Sequence, residues 1–143
     1  KYPEVSVTET QDSSQVKILL ADDDLEILRI TRTRLSKRGF TIIEAHDGEE
    51  ALELAMAEHP HMVVLDVMMP KLNGWEVCKY LRARDSYNDV GVLMLTAIGP
   101  SLNELTSPLY GADEHLDKPF DLDELDAAVE RILEKRRNVR LND

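Results

Sequence analysis

The chain is poor in cysteine, in aromatic side chains and in long apolar runs, and each shortage excludes a class of protein. A single cysteine, Cys78, excludes an internal disulfide and a cysteine-based zinc site. Aromatic residues make up 5% of the chain, whereas apolar residues make up 43%, so a core would be mostly aliphatic. No apolar run approaches membrane-spanning length and no signal peptide is visible, which predicts a cytoplasmic setting. At 143 residues the chain is long enough for one domain with a sizeable core.

Basic residues are also scarce. The chain has 17 Lys and Arg against 28 Asp and Glu, which gives a formal net charge of −11. This balance argues against nucleic acid or an anionic membrane as a partner of this domain, because phosphate surfaces bind clustered positive charge. The exception is the stretch 25–40, which contains Arg29, Arg32, Arg34, Lys37 and Arg38 but one acid. This basic face is either solvated or a docking surface for an acidic partner.

Strand-length apolar runs alternate along the chain with segments of helical periodicity. After a polar stretch at 1–15, which predicts a flexible tail, strands are predicted at 16–21, 40–45, 61–66, 92–96 and 114–117, and helices at 24–38, 49–58, 75–84 and 121–136. Strands this apolar favour a parallel sheet covered by helices on both faces. The alternation predicts an α/β, flavodoxin-like doubly wound sheet of strand order 2-1-3-4-5 with five helices. The domain would span 16–137, and 138–143 would be a tail or the start of a linker.

Acidic residues follow the first and third predicted strands directly. Asp22, Asp23 and Asp24 come after the first strand, and Asp66 ends the third, inside the run MVVLDVMMPKLNGW. Parallel strands of an open α/β sheet place ligands beyond their carboxyl ends, and these two strands are neighbours in the predicted order. Converging carboxylates repel one another, and a divalent cation relieves that repulsion. Oxygen ligands favour Mg²⁺ over zinc, although we expect Asp24 to be only a helix N-cap.

The fourth and fifth predicted strands end in Thr96 and in Lys118. Alone, a threonine or a lysine at a strand end carries little weight. Together with the acids, they complete a set suited to phosphoryl transfer. Asp66 would be the nucleophile, the metal and Lys118 would screen the phosphoryl oxygens, and Thr96 would donate a hydrogen bond.

Four motifs occur in the order KILLADDD, VVLDVMMPKLNGWEVCKYLR, LMLTA and GADEHLDKPFDLDEL. Together they resemble the receiver domain of two-component response regulators, over about residues 16–137. The resemblance implies that Asp66 accepts a phosphoryl group from the phosphohistidine of a sensor histidine kinase or histidine phosphotransfer protein. It implies that Asp23, Asp66 and the backbone carbonyl of Met68 bind Mg²⁺ directly, with Asp22 acting through water.

The resemblance also implies roles for the last two strand ends. Thr96 and Lys118 would contact the phosphoryl group, and the bond from Lys118 to Pro119 would be cis, a state that only proline makes accessible. Phosphorylation would switch the conformation of the domain and so control a partner or an attached output domain. The domain would be a signalling phosphoacceptor with self-directed phosphotransfer and autodephosphorylation, not a turnover enzyme.

Two positions depart from the family pattern. His115 lies three residues before Lys118, where the family usually has Tyr or Phe as a switch residue that follows Thr96. It either packs as a half-buried side chain or adds pH sensitivity near neutrality, because histidine titrates there. A capping-box spacing begins at Ser101, but Pro108 interrupts it within two turns, which predicts a short or irregular fourth helix.

Two other functions compete with the phosphoacceptor. The first is an interaction module that keeps the receiver fold and works independently of phosphorylation; the intact acid, threonine and lysine set argues against it. The second is an aspartyl-phosphate phosphatase of related fold. That enzyme needs a second acid two residues after the nucleophile, and this position is Met68.

Overall fold

The computed structural model describes residues 15–97 and 111–142, with side chains up to Asn138. Its strands are β1 (Lys17–Ala21), β2 (Thr41–Ala45), β3 (Met62–Asp66), β4 (Gly91–Thr96) and β5 (Glu114–Asp117). Its helices are α1 (Leu25–Lys37), α2 (Gly48–Glu58), α3 (Gly74–Arg82) and α4 (Leu122–Asn142), and a short 3-10 helix lies at Asp85–Tyr87. Among the described residues, no helix is both long enough and apolar enough to cross a membrane.

The strands form one parallel sheet in the order β2-β1-β3-β4-β5, which confirms the predicted flavodoxin-like arrangement. Every residue of β3 and β4 is buried, and so is every residue of β1 except Lys17. These strands are unbroken apolar runs because helices cover both faces of the sheet. Alternate side chains enter two separate cores. Leu19 and Val63 pack with α2 and α3, whereas Ile18 and Val64 pack with α1 and α4.

Short polar residues and a glycine set the helix ends. The carboxylate of Asp24 accepts hydrogen bonds from the first backbone amides of α1, which confirms the expected N-cap. Gly39 follows the end of α1 with a φ of 98°, a conformation that glycine adopts at little energetic cost. Asp121 and Glu124 exchange hydrogen bonds as a capping box at the start of α4. Local sequence therefore fixes where the chain turns from one layer to the next.

The basic face of α1 lies partly against acidic residues of α4. Arg34 contacts Asp123 at 2.9 Å and Asp126 at 2.7 Å. Arg38 contacts Asp126 at 3.2 Å and also Glu130. Ion pairs this close to solvent are individually weak and are screened by salt. The structure thus adds a third interpretation of these arginines, because two of them join helices of the same chain.

Some expectations concern segments that lie outside the described residues, and one concerns a helix that is longer than predicted. The irregular fourth helix that would begin at Ser101 lies outside the described residues, as does the predicted tail apart from its last residue, Gln15. The C-terminal helix α4 continues to Asn142, past its predicted end at 136, because neither glycine nor proline interrupts it. The assignment of 138–143 to a tail or a linker stays a prediction.

Candidate functional site

Three carboxylates meet beyond the carboxyl ends of β1 and β3. One oxygen from each of Asp22, Asp23 and Asp66 lies within 4.8 Å of the other two. The adjacent strands are in register from Ile18 opposite Met62, so the residues that end them reach the same edge of the sheet. Asp22 and Asp66 are 2% and 5% exposed, whereas Asp23 is exposed. We call this arrangement the acidic pocket; it has two buried acids and one acid open to solvent.

Lys118 brings positive charge to the acidic pocket from the end of β5. Its Nζ donates a hydrogen bond to Asp22 Oδ2 at 3.0 Å and lies 3.3 Å from Asp66 Oδ1. Burial by itself would lower the pKa of Lys118, but the hydrogen bonds and charges of these two aspartates outweigh it and raise the pKa above 10.5. The backbone N–H of Lys118 donates to the Thr96 carbonyl at 2.7 Å, and the bond to Pro119 is cis, as predicted.

The electrostatic setting of Asp66 is unfavourable for its charged form. Burial raises the pKa of Asp66 from 3.8 to about 6; the charge of Asp22 adds to the rise, and Lys118 opposes it. At neutral pH Asp66 is still mostly ionised. Three carboxylates and one lysine then leave two uncompensated negative charges in the acidic pocket. A divalent cation is the ligand that this balance favours.

The remaining predicted site residues lie around the acidic pocket at different depths. Thr96 is buried at the end of β4, in register with Asp117, and so lies at the same edge of the sheet. His115 is half-buried and pairs with Met94, two strand positions further from that edge. Met68 is 64% exposed and lies in residues 67–73, the β3–α3 loop. The structure therefore brings Thr96 and the loop to the pocket edge and leaves His115 within the sheet.

A second charged cluster, at the opposite edge of the sheet, was missed by sequence reasoning. The Asp113 side chain is 1% exposed, and its oxygens lie 2.5 Å from Arg136 and 2.9 Å from Lys135. It also lies 3.3 Å from Arg82 and accepts the Val92 N–H at 2.9 Å. Burial raises the pKa of Asp113, but hydrogen bonds from Arg136, Lys135 and the Val92 amide outweigh it and hold the pKa below 3.8. We call these residues the Asp113 cluster.

The cluster fixes α4 to the start of β4 and the end of α3. Its sequence signals are the GAD before the fifth strand and the EKRR of the last helix. These segments lie about two dozen residues apart, and Arg82 lies still further away, so spacing alone does not reveal the contact.

The fold and the acidic pocket agree with comparisons to known proteins. The family model described as response regulator receiver domain matches residues 18–130, which include the whole acidic pocket. The chain belongs to the response regulator receiver domain family. This confirms both the resemblance drawn from the four motifs and the fold.

Two curated relatives and one solved structure illustrate the similarity of this receiver domain to known ones. The probable transcriptional regulator ycf27 of Cyanophora paradoxa is 45% identical over 126 residues, covering 88% of this chain and 52% of that protein. Response regulator MprA of Mycobacterium ulcerans (strain Agy99) is 44% identical over 123 residues, covering 85% of this chain and 52% of that protein. The Francisella response regulator 1452 receiver domain superposes with a TM-score of 0.78 at 34% identity, covering 85% of this chain and 98% of that one. The chain thus spans about half the length of the curated relatives it matches.

Proposed function

We propose that this receiver domain accepts a phosphoryl group on Asp66 and so controls a partner protein or an attached output domain. The observation that carries the proposal is the position of Asp66, a buried carboxylate at the end of β3. Asp22 and Asp23 lie beside it, and the ammonium group of Lys118 is 3.3 Å away. Burial raises the pKa of Asp66 to about 6, and acids perturbed in this way cluster at functional sites.

The acidic pocket fits Mg²⁺ in its donor atoms and its charge. Carboxylate oxygens are hard ligands, and Mg²⁺ keeps several waters while binding a few protein oxygens. Asp23 and Asp66 would bind it directly, together with the carbonyl of Met68. Both oxygens of Asp22 are already engaged, Oδ1 by the Asp24 N–H at 2.9 Å and Oδ2 by Lys118, which supports contact through water. When bound, the ion would neutralise the excess negative charge and stabilise charge on the phosphoryl oxygens.

The chain's own residues would then carry out the transfer. A carboxylate oxygen of Asp66 attacks the phosphorus of a phosphohistidine; the new O–P bond forms as the P–N bond breaks, and the imidazole nitrogen keeps the electron pair. Lys118 stays protonated because its pKa is raised, so it can donate to the phosphoryl oxygens. Thr96, at the end of the neighbouring strand, would be the second donor. The phosphorylated Asp66 is itself the product, so the domain is a switch with autodephosphorylation rather than a turnover enzyme.

The donor protein needs a surface beside Lys118, and the chain offers an apolar groove there. The groove has a volume of about 560 Å³ and lies between Ile27 and Ile30 of α1 and the segment 118–122. A protein that brings a phosphohistidine to Asp66 must cover the surroundings of Lys118, and exposed apolar patches mark protein interaction sites. We therefore place the sensor histidine kinase or histidine phosphotransfer protein on this face.

The response to phosphorylation would be a shift between two conformations. A dianionic group on Asp66 attracts the Thr96 hydroxyl, and His115 would follow as the switch residue on β5. A curated relative of which this chain covers about half is named a probable transcriptional regulator, so the output proposed for the whole protein is control of transcription through another domain. The net charge of −11 argues against nucleic-acid binding by this domain, and its cytoplasmic setting stays a prediction.

Intact mass after incubation with Mg²⁺ and acetyl phosphate tests the proposal. The wild type should gain one phosphoryl group, and Asp66→Asn should gain none. Ile30→Asp, in the groove, should still react with acetyl phosphate but should accept more slowly from a protein donor. If neither acetyl phosphate nor beryllofluoride changes the mass or the Trp75 fluorescence of the wild type, the phosphate-independent interaction module becomes the better explanation.

A further inference from the structure

The β3–α3 loop contains a strained turn. Lys71 has a φ of 73°, in the left-handed region that non-glycine residues seldom adopt. The Leu72 N–H donates to the Pro70 carbonyl at 2.8 Å and closes a three-residue turn around it. The Gly74 N–H donates to the Val67 carbonyl at 2.9 Å and closes the loop as a whole. A strained turn persists only where its surroundings hold it in place, so a neighbouring element must support this one.

The first turn of α2 gives that support. The Gly48 N–H donates to the same Pro70 carbonyl at 3.2 Å. A Cβ on residue 48 would overlap the carbonyl oxygen of Leu72 and would lie 2.5 Å from its carbonyl carbon. Lys71 Nζ also lies 3.6 Å from Asp47, but the Lys71 side chain is 58% exposed, and pairs this exposed contribute little. The contact of backbone with backbone at Gly48 is therefore the main support.

Met68 lies near the start of the β3–α3 loop, and this loop has little freedom to adjust. At the loop's end a Cβ on Gly74 would lie 2.6 Å from the carbonyl oxygen of Asp66, so this end is also packed against β3. Overlap at residue 48 is with backbone atoms, and no change of side-chain rotamer can relieve it. Mg²⁺ requires near-octahedral geometry at about 2.0–2.1 Å, so a loop shift well below 1 Å would weaken binding.

We propose that Gly48 is a positioning residue for the magnesium site. By its close contact with Leu72 and its hydrogen bond to Pro70, it holds the β3–α3 loop where the Met68 carbonyl can bind the ion. This inference rests on the proposed function, because that proposal supplies the metal. Gly48 touches neither the ion nor the phosphoryl group, and it acts through the loop.

The test measures Mg²⁺ binding to Gly48→Ala by titration calorimetry, with circular dichroism to verify the fold. We expect a dissociation constant at least about tenfold higher than that of the wild type. Amide hydrogen exchange at Leu72 and Gly74 should become faster, because their bonds to Pro70 and Val67 loosen. Phosphorylation by acetyl phosphate should fall at low Mg²⁺ and recover when Mg²⁺ is saturating, which separates positioning from a loss of the phosphoacceptor.

Gly91→Ala is the matched control. A Cβ on residue 91 would overlap the Ile132 side chain, so this glycine is also in close contact with a neighbour. Gly91 lies at the start of β4, however, at the end of the strand away from the acidic pocket. We expect this variant to be less stable but to bind Mg²⁺ within about twofold of the wild type. If Gly48→Ala does not fold, the same substitution in a Lys71→Gly background replaces it, because glycine relaxes the turn.

The outcomes separate the two proposals. Wild-type Mg²⁺ affinity in folded Gly48→Ala, or a double variant that binds Mg²⁺ as tightly as Lys71→Gly alone, overturns the positioning role and leaves the phosphoacceptor untouched. An equal loss of affinity in Gly91→Ala also overturns it, because the effect would then be general instability. Mg²⁺ binding that is weakened in Gly48→Ala but not in Gly91→Ala supports the positioning role, even if the wild type accepts no phosphoryl group. A wild type that binds no Mg²⁺ overturns the inference together with its premise.

Discussion

Replacing Asp66 by Asn should make the metal-free receiver domain more stable above pH 6. In the folded chain, burial and the charge of Asp22 raise the pKa of Asp66 from 3.8 to about 6. The folded state therefore holds this proton more tightly than the unfolded state does. Asparagine keeps the size of the side chain and removes the charge. Lys118 still has Asp22 as a partner at 3.0 Å, so the substitution strands no buried cation.

The size and the pH window of this effect follow from the pKa. A rise from 3.8 to about 6 corresponds to about 3 kcal/mol, and solvent at the open side of the pocket reduces the expected gain to about 1–2 kcal/mol. Because the folded state binds this proton more tightly, the contribution of Asp66 to wild-type stability falls as pH rises from about 4 to about 6 and changes little above that. The advantage of Asp66→Asn should be absent near pH 4 and complete by pH 7. It corresponds to a Tm increase of roughly 3–8 °C.

Thermal unfolding at pH 4, 5, 6 and 8 in EDTA checks this. Glu53→Gln is the control, because it removes an acid from the exposed face of α2 and should show no such pH dependence. Mg²⁺ at a hundred times its dissociation constant should stabilise the wild type by about 2.7 kcal/mol and so remove or reverse the difference. The reasoning is refuted if Asp66→Asn is no more stable than the wild type at pH 8, or if its advantage is equal at pH 4 and pH 8.

Three further predictions concern other charged groups. Arg34→Ala should lower Tm slightly at low salt and by less in 1 M NaCl, because its partners on α4 are near the surface; an unchanged deficit in salt would contradict this. Asp113→Asn should lower the free energy of unfolding by about 3 kcal/mol in urea titrations, because it leaves the mostly buried Arg82 and Arg136 without their carboxylate partner. Since the pKa of Asp113 is held below 3.8, its contribution should be present above that pH and lost as pH falls further. Beryllofluoride activation of the wild type and His115→Phe at pH 6 and pH 8 decides between the two interpretations of His115: identical profiles would assign it to packing alone, and different profiles would assign it pH sensitivity.

The fold was predictable because the central strands obey one strong constraint. Burial on both faces makes β1, β3 and β4 continuous apolar runs, and each observed strand lies within one residue of its predicted bounds. Helix ends were less predictable. Asp24 and Gly39 marked the ends of α1, but α4 continued to Asn142, since that segment has no stop signal.

The candidate site was predictable for a related reason. Parallel strands all have their carboxyl ends at the same edge of the sheet. Once the strands are predicted, the residues that end them are therefore assigned to that edge. The contacts that support the site were not. Gly48 lies against Leu72, and Arg34 pairs with Asp126. In each case the two residues belong to different segments, and tertiary packing sets the distance between those segments. No local pattern in one sequence carries that information.

The two charged clusters at opposite edges of the sheet differ in a way that supports the proposed switch. The Asp113 cluster has one buried acid with cations from α3 and α4, so its carboxylate is fully satisfied and its pKa is lowered. The acidic pocket has the reverse balance, with three carboxylates, one lysine and a raised pKa at Asp66. A new cation or phosphoryl group therefore changes the energy of the pocket edge strongly, because that edge is electrostatically unbalanced. The opposite edge needs no added ligand to balance its buried acid, and in the proposed switch it would keep α4 in place while the pocket edge rearranges.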